Sequence, residues 1–276
     1  MLETKDLTIR FGGHVAVNAV SCNFLPGTLT AIVGPNGAGK TTYFNLISGQ
    51  LQASRGRVYL NGVNLSGLSP SARTRAGLGR AFQLTNLFPN LSVLENVRLA
   101  VQATQGGKHL RGLNLWSIWS DHTGLTQRAL EILQAVALRD KQDATVASLP
   151  HGDQRKLEVA LLMALDPDVY MFDEPTAGMS ADEAPVILNL IRALKNDPTK
   201  IILLVEHKMD VVRELADRII VLHNGSLVAE GDPAEVIASA VVQQAYLGVS
   251  PQDASAQDVA PPHPNLPPQG VRSNTP

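Results

Sequence analysis

Apolar and polar residues partly alternate over Leu2–Ile9 and Val15–Phe24, which predicts two strands with one face in solvent. Leu29–Val33 replaces that alternation with a short apolar run, the mark of a buried strand. A glycine-rich stretch, Gly34–Thr42, comes next, and Tyr43–Ser48 then takes helical spacing; Gly56–Leu65 reads as a further strand and turn. From about residue 89 the period becomes helical, and Ser92-Val93-Leu94-Glu95 is a capping box that predicts a helix start. Thr104–Gly124 is polar and Gly-rich and reads as an inserted loop with a short helix. Its Trp116 and Trp119 are read as packing for that insert rather than a ligand box, and Leu125–Leu138 returns to helical spacing.

Beyond residue 165 strand and helix alternate again. Val169–Phe172 and Ile201–Val205 are apolar runs of buried-strand type, with helical Ala184–Lys195 between them. Arg218–Leu222 and Ser226–Glu230 flank Asn224-Gly225, a hairpin signal. Asp232-Pro233-Ala234-Glu235 supplies an N-cap, a first-turn proline and an acid for a last helix. The expectation is an α/β core over residues 1–248, interrupted by a helical segment at about 89–160, without internal repeats. Residues 249–276 differ: seven of the seventeen prolines lie there among polar residues, which predicts a disordered tail.

Composition narrows this only modestly. The 276 residues suffice for one or two domains, and 44% apolar against 17% charged is ordinary for a globular chain. A net charge of −2 supplies no electrostatic footprint for nucleic acid, so no nucleic-acid partner is expected. Cys22 is alone, which rules out an internal disulfide and suggests a reducing, cytoplasmic compartment. MLETKDLTIRF lacks the basic-then-apolar pattern of a secretory signal, and no apolar run reaches membrane-spanning length. Work at a membrane would therefore run through a partner.

The chemistry begins after the first buried run. Gly34-Pro35-Asn36-Gly37-Ala38-Gly39-Lys40-Thr41, followed by Thr42, fits the phosphate loop G-x-x-x-x-G-K-[ST], with an apolar strand before it and a helix after it. Glycines let backbone N–H groups turn toward phosphates, and a helix N-terminus favours anions. Lys40 is suited to the β- and γ-phosphates and the Thr41 hydroxyl to Mg²⁺. Val169–Glu174 is an apolar strand tipped by two acids: Asp173 suits Mg²⁺, and Glu174 is placed to polarise an attacking water. Three isolated residues add weight by position. Phe11 could stack on a base or belong to the core. Gln83 stands where the core meets the helical segment, and His207 follows a buried strand, in reach of a γ-phosphate.

With Leu149-Pro150-His151-Gly152-Asp153 standing before the acid-tipped strand, the order of these features resembles the ATP-binding cassette (ABC) ATPases over residues 2–248. The resemblance implies a P-loop fold of ABC type: a RecA-like core, an antiparallel β-subdomain and an inserted helical subdomain. It also implies roles. Phe11 stacks on adenine, Gln83 senses Mg²⁺ and the transporter subunit, Glu174 is the general base, and His207 meets the γ-phosphate. Two cassettes, identical or paralogous, sandwich two ATP molecules with Mg²⁺ at Thr41, Gln83 and Asp173. "RFGGHVAV", "GLGRAFQLTNLFPNLSVLENV" and "EPTAGMS" resemble importer ATPases for branched-chain amino acids, with amides and urea as near relatives. Permease subunits at the inner membrane and, indirectly, a periplasmic solute-binding protein are the implied partners. The alternatives are an ABC ATPase of an export system or one with a nucleic-acid role.

The family's usual L-S-G-G-Q signature is altered here. Pro150 removes a hydroxyl and an N–H, leaving Gly152 and the first amides of the next helix to face the partner's phosphate in trans. His151 could supply a replacement donor or simply tolerate the turn. Asp153 would repel a triphosphate unless it caps its own helix, which is the expected role, with Leu157, Leu161 and Leu165 as anchors and Arg155 and Lys156 outward. Ser180 stands where most relatives carry Asp. Together with Pro150 it leaves open a subunit that binds ATP without turning it over.

Overall fold

The computed structural model describes residues 1–81, 87–109 and 122–247. Strands β1 (Leu2–Phe11), β2 (His14–Phe24), β4 (Arg55–Leu60) and β5 (Val63–Asn64) form an antiparallel sheet in the order β2-β1-β4-β5. The alternation along β1 is only partial because it slips at Asp6, which sits in the left-handed region at φ 48°. Opposite it is Gly56, where an added Cβ would lie 2.3 Å from the Asp6 carbonyl oxygen, so the close crossing requires glycine.

The second sheet joins β3 (Thr28–Val33), β6 (Leu78–Ala81), β7 (Val169–Asp173), β8 (Ile201–Val205), β9 (Arg218–His223) and β10 (Ser226–Gly231) in the order β10-β9-β3-β8-β7-β6. All its pairings are parallel except β9 with β10. β3 and β8 lie near its middle and are apolar almost throughout, as expected for strands covered on both faces. One core packs the antiparallel sheet and helix α1 (Lys40–Ser48) on one side of this sheet, around Phe24, Phe44, Tyr43 and Met171. A second core lies beneath the helices that connect β6 to β7.

Those helices are α3 (Val93–His109), α4 (His122–Ala135) and α5 (His151–Leu165); α2 (Pro70–Arg75) precedes β6. The Ser92–Glu95 capping box forms in both directions: Ser92 N donates to Glu95 Oε2 and Glu95 N to Ser92 Oγ. The polar stretch expected to leave the helix at Thr104 instead continues α3 to His109. Val97 and Val101 hold the preceding turns in the core, and Thr104 Oγ1 donates back to the Val101 carbonyl. Trp116, Trp119 and the tail fall outside the described residues. After β7 come α6 (Ala184–Leu194), α7 (Met209–Leu215), α8 (Pro233–Ala238), capped by Asp232 as its sequence predicts, and α9 (Ala240–Leu247). Among the described residues no helix is long and apolar enough to cross a membrane.

Candidate active site

Register brings the chemistry together. Asp173 pairs with Val205 between β7 and β8, and Ile32 of β3 pairs with Val205 on its other side. Gly34–Lys40, Asp173–Glu174 and Glu206–His207 therefore leave neighbouring strands at the same carboxyl edge, where open α/β sheets place their binding crevice.

The loop after β3 is held close to its surroundings. A Cβ at Gly34 would lie 2.2 Å from the Leu222 carbonyl oxygen, and one at Gly39 would lie 2.5 Å from that of Ala16. Gly37 and Gly39 both have positive φ, and Gly225 N donates to Ala38 O. Asn36 and Gly37 are exposed, Pro35 half-buried and Ala38 buried. Lys40 Nζ bridges the loop, donating to the Gly34 and Pro35 carbonyls at 2.7 and 2.9 Å. Burial pushes its ammonium down, while Glu174 and Asp173 pull it back up. Thr41 and Thr42 begin α1, with Thr41 exposed. A glycine-rich turn leading into a helix N-terminus, with one lysine ammonium folded against it, suits a polyanion.

Asp173 does not stand alone. Arg80, on the edge strand β6, donates from Nη2 to Asp173 Oδ2 at 2.9 Å and from Nη1 to Asn45 Oδ1 and Ser48 Oγ of α1. Its guanidinium lies over Phe44, 4.7 Å from the ring centroid. Burial pushes the Asp173 carboxyl up, and Arg80 acts against it. Glu174 sits in the left-handed region at φ 48°, an unfavourable conformation for a residue with a Cβ, and its N–H donates to Val205 O. Its Oε1 lies 3.7 Å from His207 Nδ1.

Phe11 is half-exposed at the tip of the β1–β2 hairpin, which excludes the core reading of its side chain. It pairs with His14, roughly 7 Å along β2 from Ala16 and so close to the loop residue Gly39. Gln83 lies outside the described residues.

At the altered signature the structure corrects two expectations. Asp153 does not cap α5: the N-cap is Pro150, without a side-chain cap. The Asp153 carboxylate is instead buried between Lys141 and Lys156, with Lys156 Nζ at 2.9 Å. Lys156 therefore turns inward rather than to solvent. The carboxylate is engaged by the buried Lys156 and by Lys141, which reaches it from a part-exposed position, and so is not free to cap the helix. α5 is also buried over more of its circumference than one leucine stripe: Leu157, Val159, Ala160 and Leu162 are all inside. Pro150 and His151 are exposed. Gly152 is pressed on by Glu183, whose Oε1 would lie 2.1 Å from an added Cβ. Ser180 and Glu183 hold each other in a capping box ahead of α6.

Sequence reasoning missed Arg80, Lys141, Glu183 and Glu206 and turned Lys156 the wrong way. Three of those missed stood beside residues singled out, Arg80 three before Gln83, Glu183 three after Ser180 and Glu206 directly before His207. Adjacency to a motif was the signal available.

The family model for ABC transporters matches residues 17–177. The chain is 35% identical over 249 residues to the high-affinity branched-chain amino acid transport ATP-binding protein LivG of Escherichia coli, covering 90% of this chain and 98% of that one. It is 34% identical over the same length to BraF of Pseudomonas aeruginosa, again covering 90% and 98%. Among solved structures it is similar to an ATP-binding cassette of an ABC transporter in its ADP conformation, with TM-score 0.73, 28% identity and coverage of 90% and 99%. A dimeric post-hydrolysis cassette bound to ADP and Pi matches with TM-score 0.70 and 28% identity, covering 84% of this chain and 99% of that one.

Proposed function

The chain belongs to the ABC transporter family as one of its ATP-binding, ATP-hydrolysing cassettes, and on that premise we propose that it drives a branched-chain amino acid importer. The observation that carries the site reading is the shared carboxyl edge of β3, β7 and β8, where Lys40, Asp173, Glu174 and His207 meet. Relatives named for branched-chain amino acid transport favour import over an export or nucleic-acid role.

In this reading the Gly34–Thr42 loop and Lys40 bind the triphosphate, and Phe11 stacks on adenine. Thr41, Asp173 and Gln83 would hold Mg²⁺, and hydroxyl, carboxylate and amide oxygens are the hard donors that this ion takes. Arg80 engages Oδ2 of Asp173 and steadies the carboxylate. Bound there, Mg²⁺ supplies charge neutralisation at the phosphate oxygens. Glu174 takes a proton from the attacking water as its oxygen bonds to the terminal phosphorus and the β–γ bridge bond breaks. His207 and Lys40 steady the charge on the transferred group. Pro150 and His151, exposed at the start of α5, face the nucleotide of a second cassette, identical or paralogous, with Gly152 and Asp153 packed behind them, so that closure on ATP and opening after hydrolysis move α3–α5.

A groove of about 520 Å³ between β6, α3 and α5 is lined by Phe88, Leu99, Ala103, Leu161 and Leu162. Phe88 is 54% exposed there, and an apolar groove at the β6 edge suits a permease segment that couples the cassette to the inner membrane. The direct test reconstitutes the chain with its permeases and periplasmic binding protein and measures ATP hydrolysis against added solutes. Leucine, isoleucine or valine should stimulate turnover; stimulation confined to unrelated solutes would reject the substrate assignment. Phe11→Ala should weaken ATP affinity about tenfold, the scale of one base–aromatic stack. Because the side chain is exposed, its melting temperature should not move; unchanged affinity would return Phe11 to a structural role.

A further inference from the structure

Glu206 is a carboxylate only 1% exposed, at the C-terminal end of β8, and the mechanism above makes no use of it. Its Oε2 accepts hydrogen bonds from the backbone N–H groups of His207 (2.8 Å) and Lys208 (3.0 Å). Its Oε1 accepts from Thr176 Oγ1 at 3.4 Å, and Thr176 is itself 2% exposed in the loop that follows Glu174. Lys208 Nζ reaches the same Thr176 hydroxyl. The His207 imidazole, by contrast, is more than half exposed, and among the described residues no hydrogen bond restrains it. Its Nδ1 lies 3.7 Å from Glu174 and 3.8 Å from Glu206. What is held is the backbone that carries the ring, and Glu206 holds it.

We propose that Glu206 is a positioning residue for hydrolysis: one buried carboxylate fastens the turn bearing His207 to the loop bearing Glu174, fixing the spacing of the two side chains. A buried carboxylate is unfavourable unless its oxygens are engaged; here two amides hold Oε2 closely, and the Thr176 hydroxyl at 3.4 Å from Oε1 links the turn to that loop. The inference rests on the reading that His207 meets the γ-phosphate.

The test compares Glu206→Met, which keeps volume and removes the acceptors, with Glu206→Gln, which keeps an acceptor and removes the charge. Both are made in the full-length chain, alone and with His207→Ala. Glu206→Met should lower kcat about tenfold, with KM changed less than about twofold, the scale of one or two lost buried hydrogen bonds. Glu206→Gln should recover kcat to within about threefold of the parent. In the His207→Ala background Glu206→Met should cost less than about twofold more, because both changes act through one side chain. Multiplying effects, or a Gln variant as slow as Met, would overturn the proposal. If the Met variant does not fold, Thr176→Val takes its place: a loss of about threefold that vanishes without His207 supports the tie, and a multiplying loss overturns it. Full turnover by His207→Ala alone would instead remove the reading of His207, and the inference with it.

Discussion

Glu174→Gln should lower steady ATP turnover by about 10²- to 10⁴-fold while ATP still binds, the range expected when a general base is lost. The exchange keeps size and shape, so the left-handed backbone at φ 48° and the Glu174 N–H to Val205 O bond both persist. What disappears is the proton acceptor next to His207. The strained backbone points the same way, because such a conformation persists only where surrounding structure enforces it, and it aims this side chain off the end of β7. The measurement pairs phosphate release with equilibrium binding of ATP. Turnover within about threefold of the parent would exclude Glu174 as the base.

The second large effect is on stability. Asp153→Asn should destabilise the chain by about 3 kcal/mol at neutral pH, because the buried Lys156 then faces a neutral amide and the part-exposed Lys141 loses its counter-charge. The pH dependence identifies the cause. Burial alone would raise the Asp153 carboxyl, but the two lysines outweigh it and hold it below the usual carboxylate range. A depressed carboxyl contributes stability above its unfolded pKa of about 4 and loses it as pH falls through the folded value. The penalty of Asp153→Asn should thus be full at pH 7 and shrink below about pH 4 in urea titrations of parent and variant. A penalty of the same size at both ends would mean that packing, not charge, is what the substitution disturbs.

Most of the site was legible in the sequence because its parts are contiguous. The phosphate loop, the Asp173-Glu174 tip and His207 each announce themselves by neighbours along the chain, and β8 has the bounds its apolar run predicts, Ile201–Val205. What was not legible depends on partners far apart. Nothing near Asp153 indicated that Lys141, twelve residues earlier, would reach it, so a local cap was the natural expectation. β6 has four residues with Gly79 and Arg80 among them, too short and too polar to signal a strand; only its pairing with β7 makes it one. Thr104–His109 looked like loop because composition cannot register that the turns before it are anchored in the core.

Arg80 joins the edge strand, the phosphate-loop helix and the Asp173 carboxylate through one planar fork. In mechanical language it is a tie-rod with three anchorages. β6 itself borders the groove, with Gly79, Arg80 and Ala81 in its lining beside Phe88, so tension applied at that groove reaches the guanidinium through β6. A displacement of the edge strand must stretch the bond to Asp173 or drag α1 along with it. The sheet therefore cannot flex at that border independently of the catalytic crevice, and a membrane partner pulling there would have a short, stiff linkage to the end of β7.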